Sequence, residues 1–389
     1  MSMLYLDNAA TTPVRPEVLD AMMPFLTRWF GNASSHHTVG EAAADALADA
    51  RTRVAGILGM RASDVIFTSG GTEANNLAVK GIAIAADARS RSLSQGGRRH
   101  VVTTPIEHES VLESARYLER VHGFAVTRVP VDDVGRVDPD AVARALDGDA
   151  ALVSFGYANN EVGTVQDVAA IAAVARGQGV PVHVDAVQAA GWLPLNATEL
   201  GVDAISLAGH KLGAPKGSGV LAVRGRVPLE PLLHGGGQER GRRSGTEDVA
   251  GAVGFAIALE LAEAERADSS ARVAALRDAF IARVLEAVPS ARLTGDPVHR
   301  LPGTASFTFA GTSGEAVLLE LERRGIVSSS GSACAAGSDE PSHVLLAMGI
   351  APEVAQTAVR FTFPHALREP LDAVAGAVAA SVVAVQSSG

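Results

Sequence analysis

The rarest reactive side chains of this sequence point to amine and thiol chemistry. Of its 33 basic residues, three are lysines (Lys80, Lys211 and Lys216) and 30 are arginines. An amine can lose its proton and act as a nucleophile, whereas a guanidinium cannot. Lys211, in the stretch SLAGHKLGAPKGSG, is therefore a candidate for covalent chemistry. The alternative is that a compositional bias removed most lysines and left these three on the surface.

The single cysteine, Cys334, is the second candidate. It lies in SSSGSACAAGSDEPSH (328–343), where small and polar neighbours predict an exposed loop rather than a helix or strand. Such a thiol is either a nucleophile or an accident of sequence. One cysteine cannot form an internal disulfide, and the start MSMLYLDNAA lacks the pattern of a secretory signal. A reducing, cytosolic location is predicted.

Two further stretches could bind an anion and a ring nitrogen. TSGGTEANN (68–76) predicts a strand, a glycine turn and a helix start, which would aim backbone N–H groups and the Thr72 hydroxyl at a phosphate. VHVDAVQAAG (182–191) ends an apolar strand with Asp185, at the end of a parallel strand where ligands bind. An ordinary glycine turn and a helix N-cap are the respective alternatives.

The elements that must position these groups alternate between strands and helices from about residue 65 to 223. This alternation predicts an α/β domain with a largely parallel sheet. A helix is predicted from Thr72 to about Ala88, and the basic, serine-rich segment 88–100 is predicted to be a solvated loop. The predicted strands are 65–68, 100–104, 151–155, 180–185, 204–207 and 219–223.

A smaller α+β unit is predicted in the last third of the chain. A long helix over about 247–288, broken near 267–270, marks the junction. Beyond it we expect a strand at 303–309, a helix at 314–325, and a helix followed by a strand at 351–363. The predicted domains are 15–255, the large unit, and 256–389, the small unit that carries Cys334 and is joined by residues 1–14.

Composition excludes several classes of function. Hydrophobic residues make up 47% and charged residues 20% of the 389 residues, values typical of a folded globular protein. The net charge of -10 argues against nucleic acid and anionic membranes as partners. The apolar stretches are too short or too interrupted to span a bilayer. No metal site is predicted.

A series of motifs, taken in order, resembles the pyridoxal-phosphate-dependent aminotransferase class V superfamily, and within it the cysteine desulfurases of the NifS/IscS-like branch. The resemblance implies fold type I, with a mostly parallel seven-stranded sheet in the large domain. The SSGSAC form is similar to the branch with the longer, mobile cysteine loop. The motifs are YLDNAATTPVRPEV (5–18), GNASSHHTVG (31–40), TSGGTEANNLA (68–78), EHESVL (107–112), NNEVGTVQD (159–167), VDAVQAAG (184–191), GHKLGAPKGSG (209–219), GGGQERGRRSGTED (235–248) and SSGSACAAGSDEPSH (329–343).

The resemblance also implies a role for each matching residue. Catalysis falls to Lys211, which forms the Schiff base, to Cys334, which accepts sulfur, and to His108, which stacks on the cofactor ring. The substrate carboxylate is held by Asn160 and Arg360. The cofactor is held by Gly71, Thr72, His108, Asn160, Asp185 (pyridine nitrogen), Gln188 (ring hydroxyl), His210, Lys211 and, from the neighbouring subunit of a homodimer, Thr246.

The implied reaction converts L-cysteine to L-alanine and leaves a persulfide on Cys334. The sulfur then passes to an acceptor protein, either an iron–sulfur scaffold or a tRNA-thiolation protein. Selenocysteine lyase or another class V activity stays open as an alternative, as does a non-catalytic scaffold of a sulfur-transfer assembly. One departure bears on the cofactor: Ala208 stands where close relatives usually carry a phosphate-binding serine.

Overall fold

A seven-stranded sheet organises the larger part of the protein. The computed structural model describes residues 3–94, 96–146, 148–331 and 340–387. Six of the sheet's strands were predicted and are confirmed. They were predictable because each is a short apolar run rich in β-branched residues. The strands of the chain are Leu4–Tyr5 (β1), Val65–Thr68 (β2), His100–Thr103 (β3), Ala125–Arg128 (β4), Ala150–Gly156 (β5), Val182–Asp185 (β6), Ala204–Ala208 (β7), Gly219–Val223 (β8), Ala291–Leu293 (β9), Thr304–Phe309 (β10), Ile326–Val327 (β11) and Ala358–Thr362 (β12).

The strand order of the large sheet is β2-β8-β7-β6-β5-β3-β4. All neighbouring pairs are parallel except those of β8, which runs antiparallel to β2 and β7. The carboxyl ends of β5, β6 and β7 therefore meet at one edge, which is where a parallel sheet binds ligands. Gly219 lets β8 approach the turn at this edge, because a Cβ there would lie 2.5 Å from the Gly70 backbone.

Helices cover the large sheet, and further helices pack on the smaller sheets. The first helical stretch after β2 is continuous, since a π-helical turn, Leu77–Gly81, joins α3 to α4. The α-helices are Pro16–Thr27 (α1), Thr38–Leu58 (α2), Gly71–Asn76 (α3), Ile82–Ser92 (α4), Glu109–His122 (α5), Pro139–Ala145 (α6), Val168–Gly177 (α7), Ala197–Leu200 (α8), Val249–Ala287 (α9), Gly314–Arg323 (α10), His343–Ala347 (α11), Pro352–Ala355 (α12) and Asp372–Gln386 (α13).

A second apolar core surrounds the three-stranded antiparallel sheet β12-β10-β9. Phe280 of α9 packs edge-to-face against Phe307, Phe361 and Phe363. Leu6 belongs to this core, and β1 pairs with β11 rather than with the large sheet. The division of the chain into domains 15–255 and 256–389 stays a proposal, and its boundary falls inside α9.

Two expectations about secondary structure were wrong, and strands β1, β4, β9 and β11 were not predicted. Strand β4 was missed, because AVTR is short, half-exposed and pairs only along one side in the sheet. Segment 88–100 is not loop throughout, since α4 continues to Ser92. Helix α9 runs unbroken through 267–270, where Ser269 donates to the Glu265 carbonyl within the helix. Among the described residues, none of the helices combines the length and apolarity needed to cross a bilayer.

Candidate active site

A cavity of about 720 Å³ opens at the carboxyl ends of β5, β6 and β7. Its size falls in the range of small-molecule sites. The sequence separates the predicted site residues by up to 289 positions, yet the fold gathers most of them around this space. Nine of them line it: Gly71, Thr72, His108, Asn160, Asp185, Gln188, His210, Lys211 and Arg360.

Lys211 directly follows β7, in the short 3-10 turn Gly209–Lys211. Its Nζ donates to the Ala9 carbonyl and, at 2.6 Å, to the Ala10 carbonyl. Burial lowers the pKa of Lys211 to about 8, and the positive charge of Arg360 acts in the same direction. The negative charges of Asp7 and Asp185 oppose this shift. The site therefore contains an amine that loses its proton far more easily than an exposed lysine.

The N-terminal segment supports the side of the cavity that holds Lys211. Ala9 also accepts a hydrogen bond from Gln188 Nε2 at 3.1 Å. Thr12 donates to the His210 carbonyl through both its backbone N–H and its hydroxyl. Burial, followed by the charges of Lys211 and Lys216, lowers the pKa of His210 to about 4, so this imidazole is neutral at pH 7.

The helical stretch that starts at Gly71 presents its first turn to the cavity. The N-cap, Gly70, offers no side chain to the first N–H groups of the helix, which have no intrahelical partner. A Cβ at Gly71 would lie 3.0 Å from Val187 Cγ2 and 3.2 Å from Ala208 Cβ. Glycine therefore keeps space at this end of the cavity, and Ala208 supplies a methyl group rather than a hydroxyl there.

One wall of the cavity, the sheet wall, consists of Asn75, His108, Ser110 and Asp185. Asn75 Nδ2 lies 2.6 Å from Asp185 Oδ2 and 2.9 Å from Ser110 Oγ. Ser110 Oγ lies 2.8 Å from His108 Nδ1. Asp185 Oδ1 accepts the backbone N–H of Val187 at 3.0 Å, which is the capping interaction that was the alternative interpretation of this carboxylate. The second oxygen, Oδ2, is the one that Asn75 contacts, and a ligand-facing role for this carboxylate stays a prediction.

A second wall, the seam wall, consists of Asn160, Glu161, Ser342 and Arg360, which line the cavity, and of Asp7, which contacts Arg360 without lining it. Arg360 is 2% exposed. It donates to Asp7 Oδ1 and the Asn160 carbonyl, both at 2.7 Å. The Ser342 hydroxyl donates to Glu161, whose pKa is raised by burial. This wall joins the N-terminal segment, the loop after β5, strand β12 and the start of α11.

A second buried carboxyl, that of Glu107, also lines the cavity. Glu107, 4% exposed, pairs with the Thr104 hydroxyl at 2.5 Å. Burial raises its pKa to about 8, and the negative charge of Asp185 acts in the same direction, while hydrogen bonds from Thr104 and Gly156 oppose. Glu107 is therefore mostly neutral at pH 7.

Two predicted site residues are not among these nine. Thr246 is exposed and lies outside the cavity of its own chain. Cys334 lies outside the described residues. On either side of that gap, the Gly331 carbonyl accepts a hydrogen bond from Arg360 at 3.3 Å, and Glu340 lines the cavity.

Several residues of the site were not predicted from the sequence. Asn75 and Glu107 lie inside motifs that were quoted for their neighbours, so polar residues facing a glycine turn or preceding His108 were the available signal. Asp7 also lies inside a quoted motif, but its contact with Arg360 joins residues 353 positions apart and leaves no local pattern.

Comparison with known proteins gives the same relationship along nearly the whole chain. The family model described as aminotransferase class V matches residues 4–369. The cysteine desulfurase IscS of Dictyoglomus turgidum is 44% identical over 92% of this chain and 89% of its own length. The IscS-like cysteine desulfurase of Mycobacterium tuberculosis is 46% identical over 97% of this chain and 96% of its own length.

Solved structures with similar folds include two informative cases. A NifS-like protein, 36% identical, superposes with a TM-score of 0.87 over 99% of this chain and 98% of its own. SspA in complex with cysteine, 34% identical, superposes with a TM-score of 0.80 over 93% of this chain and 99% of its own. The similarity thus extends to both the large and the small sheet.

Proposed function

Because the chain belongs to the aminotransferase class V family, we propose that its cavity is the active site of a pyridoxal-phosphate-dependent cysteine desulfurase. The chain is a cysteine desulfurase of the NifS/IscS-like type, the activity named for relatives that match it nearly end to end. The observation that carries the assignment of the site is the Lys211 amine, with a pKa of about 8, in one cavity with Asp185 and Arg360.

The groups around the cavity fit pyridoxal phosphate. Gly71, Thr72 and the neutral His210 are donors for the phosphate, in the space that a Cβ at Gly71 would fill. Asp185 is the carboxylate for the pyridine nitrogen, and Gln188 is the donor for the ring hydroxyl. The exposed His108 offers a flat ring surface for the cofactor ring, and Asn160 lines the same cavity. Thr246 of a neighbouring subunit completes the phosphate site in a homodimer.

Bound pyridoxal phosphate supplies a ring that accepts electron density from the α-carbon of an amino acid. Lys211 removes the α-proton, since an amine with a pKa of about 8 is roughly one-tenth neutral at pH 7. Arg360 and Asn160 hold the substrate carboxylate. Arg360 Nε is buried without a partner among the described residues, so the guanidinium retains a donor for this purpose.

Sulfur transfer then requires a thiolate. Cys334 attacks the sulfur of L-cysteine, an S–S bond forms, and the Cβ–S bond breaks. The carbon skeleton gains a proton and leaves as L-alanine, so one L-cysteine and one thiol become one L-alanine and one persulfide. What supports the role of Cys334 is that the residues flanking its segment, Gly331 and Glu340, lie at the cavity.

The acceptor of the sulfur is a protein thiol, in an iron–sulfur scaffold or a tRNA-thiolation protein. A cytosolic location fits such an acceptor and stays a prediction.

The cofactor lysine is tested by borohydride reduction of the holoenzyme, followed by mass mapping of its peptides. The label is expected on Lys211 and absent in Lys211→Ala. Lys216→Ala is the matched control, because Lys216 also lines the cavity, and it should keep the label. Label on Lys216 or Lys80 in the parent protein would overturn the assignment.

The sulfur carrier is tested by brief exposure to L-cysteine without acceptor or reductant. The peptide that bears Cys334 should gain the mass of one sulfur atom and lose it on treatment with a thiol reductant. Cys334→Ser should still bind the cofactor while alanine production collapses. Alanine accumulating without any persulfide, or sustained release of selenide from selenocysteine by this variant, would instead indicate a lyase. A protein that forms no alanine at all would be a scaffold.

A further inference from the structure

Hydrogen bonds along the sheet wall connect His108, which is assigned to the face of the cofactor ring, with Asp185, which is assigned to its nitrogen. Asn75 in α3 lies between Asp185 at the end of β6 and Ser110 in the first turn of α5, at 2.6 Å and 2.9 Å. Ser110 Oγ in turn lies 2.8 Å from His108 Nδ1. Asn75 is 2% exposed and Ser110 is 6% exposed. One amide nitrogen therefore contacts both branches of this chain of bonds.

The proton positions in this series of hydrogen bonds follow from the groups that can only donate. The backbone N–H of Ser110 can only donate, and it lies 3.0 Å from His108 Nδ1, so that nitrogen is an acceptor and the ring proton is on Nε2. The Asn75 amide donates one proton to Asp185 and the other to Ser110 Oγ. Since Ser110 Oγ accepts from Asn75, its own proton is directed to His108 Nδ1.

The orientation of the Asn75 amide is also determined by its neighbours. A flipped amide would place Oδ1 against the Asp185 carboxylate, and two acceptors would then face each other without a proton between them. Oδ1 is buried without a hydrogen-bond partner among the described residues, so no competing contact there holds the amide. The carboxylate and the serine hydroxyl hold the amide in this orientation.

We propose that Asn75 is a positioning residue for the desulfurase reaction, one that fixes the Asp185 carboxylate and, through the Ser110 hydroxyl, strengthens the preference of His108 for the Nε2–H tautomer that the Ser110 backbone N–H also favours. The inference rests on the proposed function, in which these two side chains hold the cofactor ring. Because the same amide serves both, its loss should disturb the carboxylate and the imidazole together. Loss of Ser110 should disturb the imidazole alone.

The test uses nitrogen-15 NMR of the histidine-labelled protein without cofactor or substrate, so its result does not depend on whether the desulfurase assignment holds. In the parent protein His108 should be the Nε2–H tautomer. In Asn75→Ala the ratio of Nδ1–H to Nε2–H should rise about fivefold, the effect of one lost hydrogen bond. Asn76→Ala is the matched control, since Asn76 is the next residue and, among the described residues, its side chain donates to the Thr72 carbonyl rather than to this wall. It should leave the ratio unchanged.

A cycle of variants separates positioning from a general structural effect. Ser110→Ala should raise the tautomer ratio as Asn75→Ala does, and Ser110→Thr, which keeps the hydroxyl, should restore it. Adding Asn75→Ala to Ser110→Ala should change nothing further, because Asn75 acts on His108 only through Ser110. Equal effects of Asn75→Ala in the two backgrounds, or a parent ratio that Asn75→Ala leaves untouched, would refute the proposal.

The holoenzyme supplies the second readout. Asn75→Ala should shift the absorption maximum of the bound cofactor and lower kcat while KM for L-cysteine stays within about twofold, because Arg360 is untouched. Ser110→Ala should lower kcat with a smaller spectral shift, since Asn75 still holds Asp185. Circular dichroism and urea unfolding identify any variant that fails to fold, and Asn75→Leu, of similar size but without hydrogen-bonding groups, then replaces Asn75→Ala. A normal spectrum and kcat in both folded Asn75 variants would exclude a positioning role.

Discussion

The sheet wall and the seam wall both place polar groups at the cavity, but they do so through different kinds of contact. The sheet wall consists of residues that follow strands β2, β3 and β6, and its contacts are mostly those of an amide, a hydroxyl and an imidazole. The seam wall joins segments up to 353 positions apart, and its central contact is the ion pair of Arg360 with Asp7. One wall therefore depends on the regular spacing of a sheet, and the other depends on charge.

The comparison predicts that removing a charge from the seam wall costs more than removing an amide from the sheet wall. Arg360→Ala leaves the Asp7 carboxylate unpaired and should lower the free energy of unfolding by about 3–5 kcal/mol. Asn75→Ala should cost about 1–3 kcal/mol. Urea unfolding of the cofactor-free protein measures both. Arg53→Ala, which removes two exposed ion pairs, is the control and should change little. Equal costs for the two cavity variants would remove the distinction between the walls.

The protonation state of Glu107 determines how many charges lie near the sheet wall. The pKa of Glu107 is about 8 in the folded protein, above its ordinary value of 4.5. The unfolded chain releases this proton as the pH rises through that interval, so the folded state loses stability between these two values. Glu107→Gln keeps a neutral side chain, and its stability advantage over the parent should be small at pH 4 and grow up to about pH 8.

Urea midpoints measured from pH 4 to pH 9 check this pH dependence. Glu113→Gln, at an exposed position, is the control and should not show it. A constant difference between Glu107→Gln and the parent would mean that Glu107 is ionised beside Asp185, and the sheet wall would then contain two charges.

Position 208 carries an alanine where the resemblance implies a phosphate-binding serine. Ala208→Ser adds a hydroxyl donor near Gly71, and the cofactor should dissociate about fivefold less readily during dialysis. Ala214→Ser, a buried alanine that does not line the cavity, is the control for a general effect of the substitution. Unchanged retention in Ala208→Ser would indicate that another group already satisfies the phosphate.

The smallest expected effect is that of Asp7 on the pKa of Lys211. Asp7 raises the pKa of Lys211, whereas burial and Arg360 lower it. Asp7→Asn removes the opposing charge, so the pKa should fall below about 8 and Lys211 of the cofactor-free protein should react about threefold faster with an amine reagent at pH 7. Peptide mass analysis compares it with Lys80, whose pKa is lowered by burial alone and whose rate should not change. A slower reaction at Lys211 would contradict this electrostatic account.

The two walls also differ in how much of them the sequence could predict. His108 and Asp185 follow runs of β-branched residues, so strand prediction alone places them at one edge of the sheet. Arg360 was assigned through the resemblance, and Asp7 was not assigned at all. A contact over 353 positions leaves no local pattern, because it depends on how the N-terminal segment and β12 pack together.

The errors in secondary structure have a related cause. The polar stretch at 267–270 has weak helix propensity, which predicted a break in α9. Packing overrides that preference, because the helix buries Phe255 and Leu259 in the core of the large sheet and Val273 and Phe280 in the core of the small one. Propensity is a property of a short window, whereas the support for this helix comes from both of its halves.

The continuity of α9 also has a mechanical consequence. Its 39 residues form a rod about 58 Å long, without the proline or π-bulge at which helices kink sharply. Each half of the helix packs in one of the two cores, and near the middle the Ser270 hydroxyl donates to the Trp192 carbonyl at 2.9 Å. A change in the angle between the two cores must therefore bend this rod elastically along its length. Helix α9 thus resists a change in that angle by its stiffness and provides no hinge between the two cores.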